Sequence, residues 1–98
     1  MITIAVTIEP HPEKLAMLQA TQQRLKAIYK RHNTSVRVYR PLSGSVTGFL
    51  AVFDFETLQA MEIWSDAVDA DSEHREAMTT FRDCVQSMHQ TIYRTVDS

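Results

Sequence analysis

The chain has 98 residues, 44% of them hydrophobic and 22% charged, with a formal net charge of −2. That length supports one domain over residues 1–98, and a chain this short buries only about two-thirds of its unfolded surface, so a second copy is a natural source of further core. The small net charge gives no reason to expect a nucleic-acid or membrane partner, and the single Cys84 excludes an internal disulfide. No apolar run approaches the roughly 20 residues of a membrane helix. Met1 leads straight into a strand pattern without a basic leader, which points to a cytoplasmic protein.

Ile2, Ile4, Val6 and Ile8 alternate with Thr3, Ala5, Thr7 and Glu9, the period of a strand with one apolar face, and Pro10 ends it. Pro12 suits a first helical turn, and a helix is expected over residues 12–32. Its stripe of Leu15, Leu18, Leu25, Ile28 and Tyr29 is interrupted by Thr21 and Gln22, and Asn33 is a fitting stop. Residues 35–40 alternate Val36 and Val38 with Arg37 and Tyr39 as a short strand, and residues 41–45 read as a turn. Residues 47–55 form a strand apolar on both sides, with Phe49, Ala51, Phe53 and Phe55 on one and Leu50 and Val52 on the other. Such a strand needs two covering layers, and the sheet of a second subunit is the economical second layer.

Thr57 is a good N-cap for a helix carrying Leu58, Met61, Trp64 and Val68. Asp71 or Ser72 caps a second helical segment expected to run to about residue 88, its stripe being His74, Ala77, Met78, Phe81, Cys84, Val85 and Met88. Residues 90–96 alternate as a closing strand. The order of strand, helix, strand, strand, helix, strand makes an α+β, ferredoxin-like βαββαβ subunit: a four-stranded antiparallel sheet with its helices on one face.

His74 opens an otherwise apolar stripe and must find a partner, a proton or a ligand there. Trp64 and His74 together suggest a pocket walled by Phe49, Phe53, Met61 and Trp64. Tyr29, Tyr39, Thr7, Gln22 and Arg40 are the polar groups that could orient a substrate within it. His11, His32, His74 and His89 have no metal-ligand spacing, so no metal site is expected, and the two glycines form no phosphate loop. Basic residues gather between Lys14 and Arg40, and acidic ones between Asp54 and Glu76. These halves can attract each other within a subunit or across a dimer.

Three segments carry a family resemblance: Val6-Thr7-Ile8-Glu9-Pro10 before the first helix, Arg40-Pro41-Leu42-Ser43-Gly44 before the third strand, and Phe53-Asp54-Phe55-Glu56-Thr57-Leu58 entering the tryptophan helix. Through them the chain resembles the dimeric α+β barrel superfamily, near its antibiotic-biosynthesis-monooxygenase-like and NIPSNAP-like branches. The resemblance implies a homodimer closed by two facing sheets, with a pocket for an apolar or aromatic small molecule between sheet and helices in each subunit. It also implies cofactor-independent, monooxygenase-like chemistry with His74 as the base. The alternatives are a non-catalytic ligand-binding or structural dimer and a haem-binding protein. Trp64 and His74 stand where haem-degrading members place a pocket tryptophan and the haem histidine. Those members also use an asparagine on the first strand, which here offers Thr3, Thr7 and Glu9, the only asparagine being Asn33.

Overall fold

A computed structural model describes residues 1–44 and 48–96. Strand β1 (Ile2–Pro10) is followed by a 3-10 turn at Pro12–Lys14 and helix α1 (Leu15–Arg31). Strands β2 (Arg37–Tyr39) and β3 (Phe49–Phe55), helices α2 (Leu58–Ala70) and α3 (Ser72–Asp83), and strand β4 (Val85–Arg94) complete the order. The sheet runs β2-β3-β1-β4 with every neighbouring pair antiparallel. This is the α+β, ferredoxin-like arrangement. Of the expected turn and third strand, Ser45 and Thr47 lie outside the described residues.

Alternation decides which side of β1 is covered. Ile2, Ile4 and Ile8 are buried under the helices, opposite Phe55, Phe53 and Phe49 of β3. Thr3, Ala5 and Thr7 face the other way, opposite Asp54, Val52 and Leu50. Thr3 Oγ1 donates to Asp54 Oδ1 at 2.6 Å, and Arg37 pairs with the same carboxylate, so the open face carries its own polar cluster. Gly48 has φ +87°, and a Cβ there would meet Ile8 O at 2.1 Å, so only glycine lets the chain enter β3 this close to β1.

Local signals set the helix ends. Asn33 takes φ 60°, in the left-handed region that stops α1. Thr57 Oγ1 accepts from Ala60 N at 3.0 Å, and Asp71 Oδ1 accepts from Glu73 N at 2.9 Å at the start of α3. Thr57→Ala is therefore expected to cost about 1 kcal/mol, read as a lower urea midpoint, with Thr57→Asn recovering most of it. No loss in the alanine variant would mean that this cap contributes nothing. The basic and acidic halves meet within the subunit: Arg31 reaches Asp71 and Glu73 at 3.4 and 3.1 Å, and Arg24 reaches Glu76 at 3.6 Å. Exposed pairs of this kind contribute little stability.

One boundary differs from expectation. α3 stops at Asp83, so Val85 and Met88 belong to β4 instead of extending the helical stripe to residue 88. Cys84 N–H turns back to Phe81 O at 3.0 Å, while Cys84 O accepts from His11 N at 2.9 Å. From there β4 pairs along β1 from Pro10 opposite Val85 to Ile2 opposite Arg94. A long ladder beside an otherwise unpaired edge outweighs one more turn of a solvated helix, because it satisfies the backbone of both strands. Ala77, Phe81 and Cys84 remain the buried stripe of α3.

Candidate functional site

A cavity of about 210 Å³ lies between the helices and the covered face of the sheet. Its floor is the row Val38, Ala51, Val6 and Gln90, which crosses all four strands. This row is shorter in the middle than the rows on either side, Ile4 with Phe53 and Ile8 with Phe49, so the helices bridge a gap there. α1 supplies Gln22, Leu25 and Tyr29 at spacings of three and four. α2 supplies Trp64, Ser65, Val68 and Asp69, and α3 supplies His74, Met78 and Phe81 at spacings of four and three. Each helix thus turns one stripe toward the same space.

An aromatic box forms one wall. Tyr29 meets Phe53 edge-on with ring centroids 5.1 Å apart, and Trp64 lies 5.1 Å from Phe53, 5.1 Å from Phe55 and 5.5 Å from Tyr29. The His74 ring sits 5.5 Å from that of Tyr29, and its Nε2 is 3.2 Å from the Tyr29 hydroxyl. Burial, and then the charge of Asp69, push the Tyr29 phenol up to about 12. Burial also holds His74 below its ordinary value, more strongly than Asp69 and Asp71 raise it. At neutral pH a protonated phenol therefore faces a neutral imidazole, and the consistent assignment has Tyr29 O–H donating to Nε2.

The backbone of His74 is fixed from the far end of α1. Asp71 Oδ1 lies 3.4 Å from His74 N, while Asp71 Oδ2 meets His32 Nε2 at 2.8 Å and Arg31 Nη2 at 3.4 Å. The His32 hydrogen bond, then the two backbone N–H groups and Arg31, hold the Asp71 carboxyl below its usual range against the opposing effect of burial. One carboxylate thereby caps α3 and ties it to the α1 terminus.

Two donors in the wall have no acceptor. Gln22 Nε2 and Trp64 Nε1 are buried, and neither has a hydrogen-bond partner among the described residues. Thr21, the other polar interruption of the α1 stripe, differs because its Oγ1 donates to Met17 O at 2.8 Å.

Of the residues expected from sequence to form the pocket, Tyr29, Phe53, Trp64 and His74 come together around this cavity, with Gln22 beside them. Tyr39 and Thr7 do not. Tyr39 is opposite Leu50 and Leu50 opposite Thr7, all on the open face, and it is Val38 that turns toward the helices. Met61 is buried in the core away from the cavity, and Phe49 and Arg40 line a separate hollow with Pro10, Leu15 and Gln19. Sequence reasoning did not single out Asp69, although it follows Ser65 by four residues on α2 and lines the cavity beside it. A haem does not fit this site. His74 Nε2 is occupied by Tyr29, and a cavity of about 210 Å³ is too small for a four-ring macrocycle.

No family model and no curated protein matches the chain. Solved structures do. An uncharacterised NIPSNAP domain protein from Burkholderia xenovorans superposes with a TM-score of 0.81 at 9% identity, over 98% of this chain and 95% of that one. A crystal structure of an antibiotic biosynthesis monooxygenase gives 0.78 at 10% identity, over 99% and 100% of the two chains. The chain has the fold of these proteins. A dimeric protein of unknown function with a ferredoxin-like fold, from Bacteroides fragilis, shares it with a TM-score of 0.71 at 14% identity, over 96% of this chain and 95% of that one. Among the described residues, no helix is long and apolar enough to cross a membrane.

Proposed function

We propose that this protein is a cytoplasmic homodimer whose cavity binds a small apolar or aromatic molecule and oxidises it in a monooxygenase-like reaction with His74 as the proton acceptor. The observation that carries the reading is the neutral Tyr29–His74 pair at 3.2 Å, set in the aromatic wall of the cavity. Size narrows the substrate. An engineered protein cavity of about 150 Å³ holds benzene, and drug-sized ligands need about 300 Å³ or more. The 210 Å³ here suits one substituted ring.

The chemistry follows from what burial does to the pair. A phenol bound against Tyr29 gives its proton to the Tyr29 oxygen as Tyr29 passes its own to His74 Nε2, so Tyr29 never has to exist as a phenolate. The aromatic wall excludes water from the resulting anion. Dioxygen is the oxidant. One of its atoms forms a new bond to ring carbon and the other leaves as water with two hydrogens, so that a phenol and dioxygen become a quinone and water.

The dimer is supported by what the single chain leaves uncovered. Tyr39 and Tyr93 on the open face are about half exposed at 46% and 55%. β4 is exposed along nearly its whole length, although nine of its ten residues pair with β1. A second copy facing this sheet supplies the missing layer, and the likeness to a dimeric ferredoxin-like protein agrees with it.

Native mass spectrometry and oxygen uptake with phenol as probe test the reading together. The expected result is a two-chain mass, phenol retained, and oxygen consumption that His74→Ala abolishes without unfolding. A monomer would sink the barrel. Phenol bound without oxygen uptake would leave a binding protein, the second reading, which is favoured by the Tyr29–His74 bond being satisfied as it stands.

A further inference from the structure

The charge on the cavity wall says more about the ligand than the cavity's size does. Resting on the reading that the cavity takes a one-ring aromatic, we infer that this molecule is a cation, a ring bearing a protonated amine, whose ammonium group is held by the Asp69 carboxylate beside the rings of Tyr29, Phe53 and Trp64. All four residues line the cavity. Among the described residues no lysine or arginine does, whereas Arg40 lines the separate hollow. Tyr29 and His74 are neutral there, so Asp69 brings the one formal charge found among the described lining residues.

The carboxylate is available to a cation. Asp69 is an exposed residue, and its side chain makes no hydrogen bond or ion pair among the described residues. Arg75, which does not line the cavity, donates to the Asp69 backbone carbonyl at 3.2 Å and leaves the carboxylate alone. The Asp69 charge acts on both the Tyr29 phenol and the His74 imidazole, which puts the carboxylate at their end of the cavity. An anionic ligand would meet a like charge there with no cation on the wall to balance it. A cation gains the carboxylate and also the negative faces of aromatic rings, of which an indole is the strongest. Because Asp69 is exposed, the ammonium group keeps part of its water while the ring enters the apolar wall, so no ion has to be fully desolvated.

Three probes of similar size separate the possibilities. Benzylamine, benzyl alcohol and benzoate are cationic, neutral and anionic at neutral pH. By calorimetry benzylamine is expected to bind about five- to tenfold more tightly than benzyl alcohol, with benzoate weakest. Asp69→Asn keeps the shape of the side chain and removes its charge, so most of the preference for benzylamine should go while benzyl alcohol binds as before. A measurement on the unaltered chain makes the same test: raising salt from about 0.01 to 1 M shortens the Debye length from about 30 to 3 Å and should weaken benzylamine relative to benzyl alcohol. Benzyl alcohol equal to benzylamine, or benzoate tightest, would overturn this inference and leave the aromatic pocket standing. A preference that survives both Asp69→Asn and high salt would overturn the part given to Asp69. If none of the three binds, the pocket reading falls, and this inference with it.

Discussion

Phe53→Ala is expected to remove about 3–5 kcal/mol of stability, the largest loss among the substitutions proposed for this chain. Phe53 is 6% exposed, lies on the covered face of β3 opposite Ile4, and touches both Tyr29 and Trp64 with ring centroids 5.1 Å away. Truncation thus removes transfer free energy, leaves a void, and breaks two ring contacts of about 0.5–1.5 kcal/mol each. The void also merges with the existing 210 Å³, so the site cannot collapse around it as a tightly packed core would. Total stability for a domain of this size is about 5–15 kcal/mol, so the variant should sit near its unfolding threshold. Urea denaturation followed by Trp64 emission measures both effects, the midpoint and the wetting of the indole. Phe53→Leu, which keeps most of the volume, should cost far less. A loss under about 1 kcal/mol in the alanine variant would show that the aromatic wall is not continuous with the core.

Phe53 was also among the residues most legible in the sequence. The alternation of β1 and the apolar phase of β3 are enough to put Ile4 and Phe53 on one face, because a period of two leaves only the choice of side. Asn33, Thr57 and Asp71 marked their boundaries because a stop and two caps are local events. The start of β4 was not legible in that way. Cys84, Val85 and Met88 continue the helical spacing of Ala77 and Phe81, and only the unpaired edge of β1, more than seventy residues away in the chain, turns Val85 and Met88 into strand. Tyr39 failed for a related reason. β2 is three residues long, too short for its own pattern to say which of Val38 and Tyr39 faces the helices. The site was most legible where a polar residue broke an apolar stripe. Gln22 and His74 both do so, and both line the cavity. Thr21 does so as well and merely bonds its own helix, so the interruption identifies candidates and the tertiary structure selects among them.

The sharpest consequence of that selection is a stability profile with two unlike limbs. An unfolded tyrosine releases its proton near pH 10, whereas Tyr29 in the folded chain keeps it to about 12. Between those values the folded state binds one more proton than the unfolded state, so its stability falls as pH rises, by about 3 kcal/mol in all. His74 acts from the other side. Unfolded histidine takes up a proton near pH 6.5 and folded His74 only at lower pH, so stability declines as pH drops below about 6.5. Asp71, held down chiefly by His32, adds a further decline as pH falls below about 4. Maximum stability should therefore lie between about pH 6.5 and pH 10. Tyr29→Phe separates the contributions: the alkaline limb should flatten while the acid limb persists. The same variant leaves His74 Nε2 without its donor, at a cost of about 1–3 kcal/mol near neutrality. Because a hydrogen bond given to Nε2 favours the neutral ring, its removal should let the His74 pKa rise toward its ordinary value, followed by NMR titration of the imidazole. A fall in that pKa would mean that His74 is the donor and the Tyr29 oxygen the acceptor. The proton path from substrate through Tyr29 to His74 would then have no vacant nitrogen at its end.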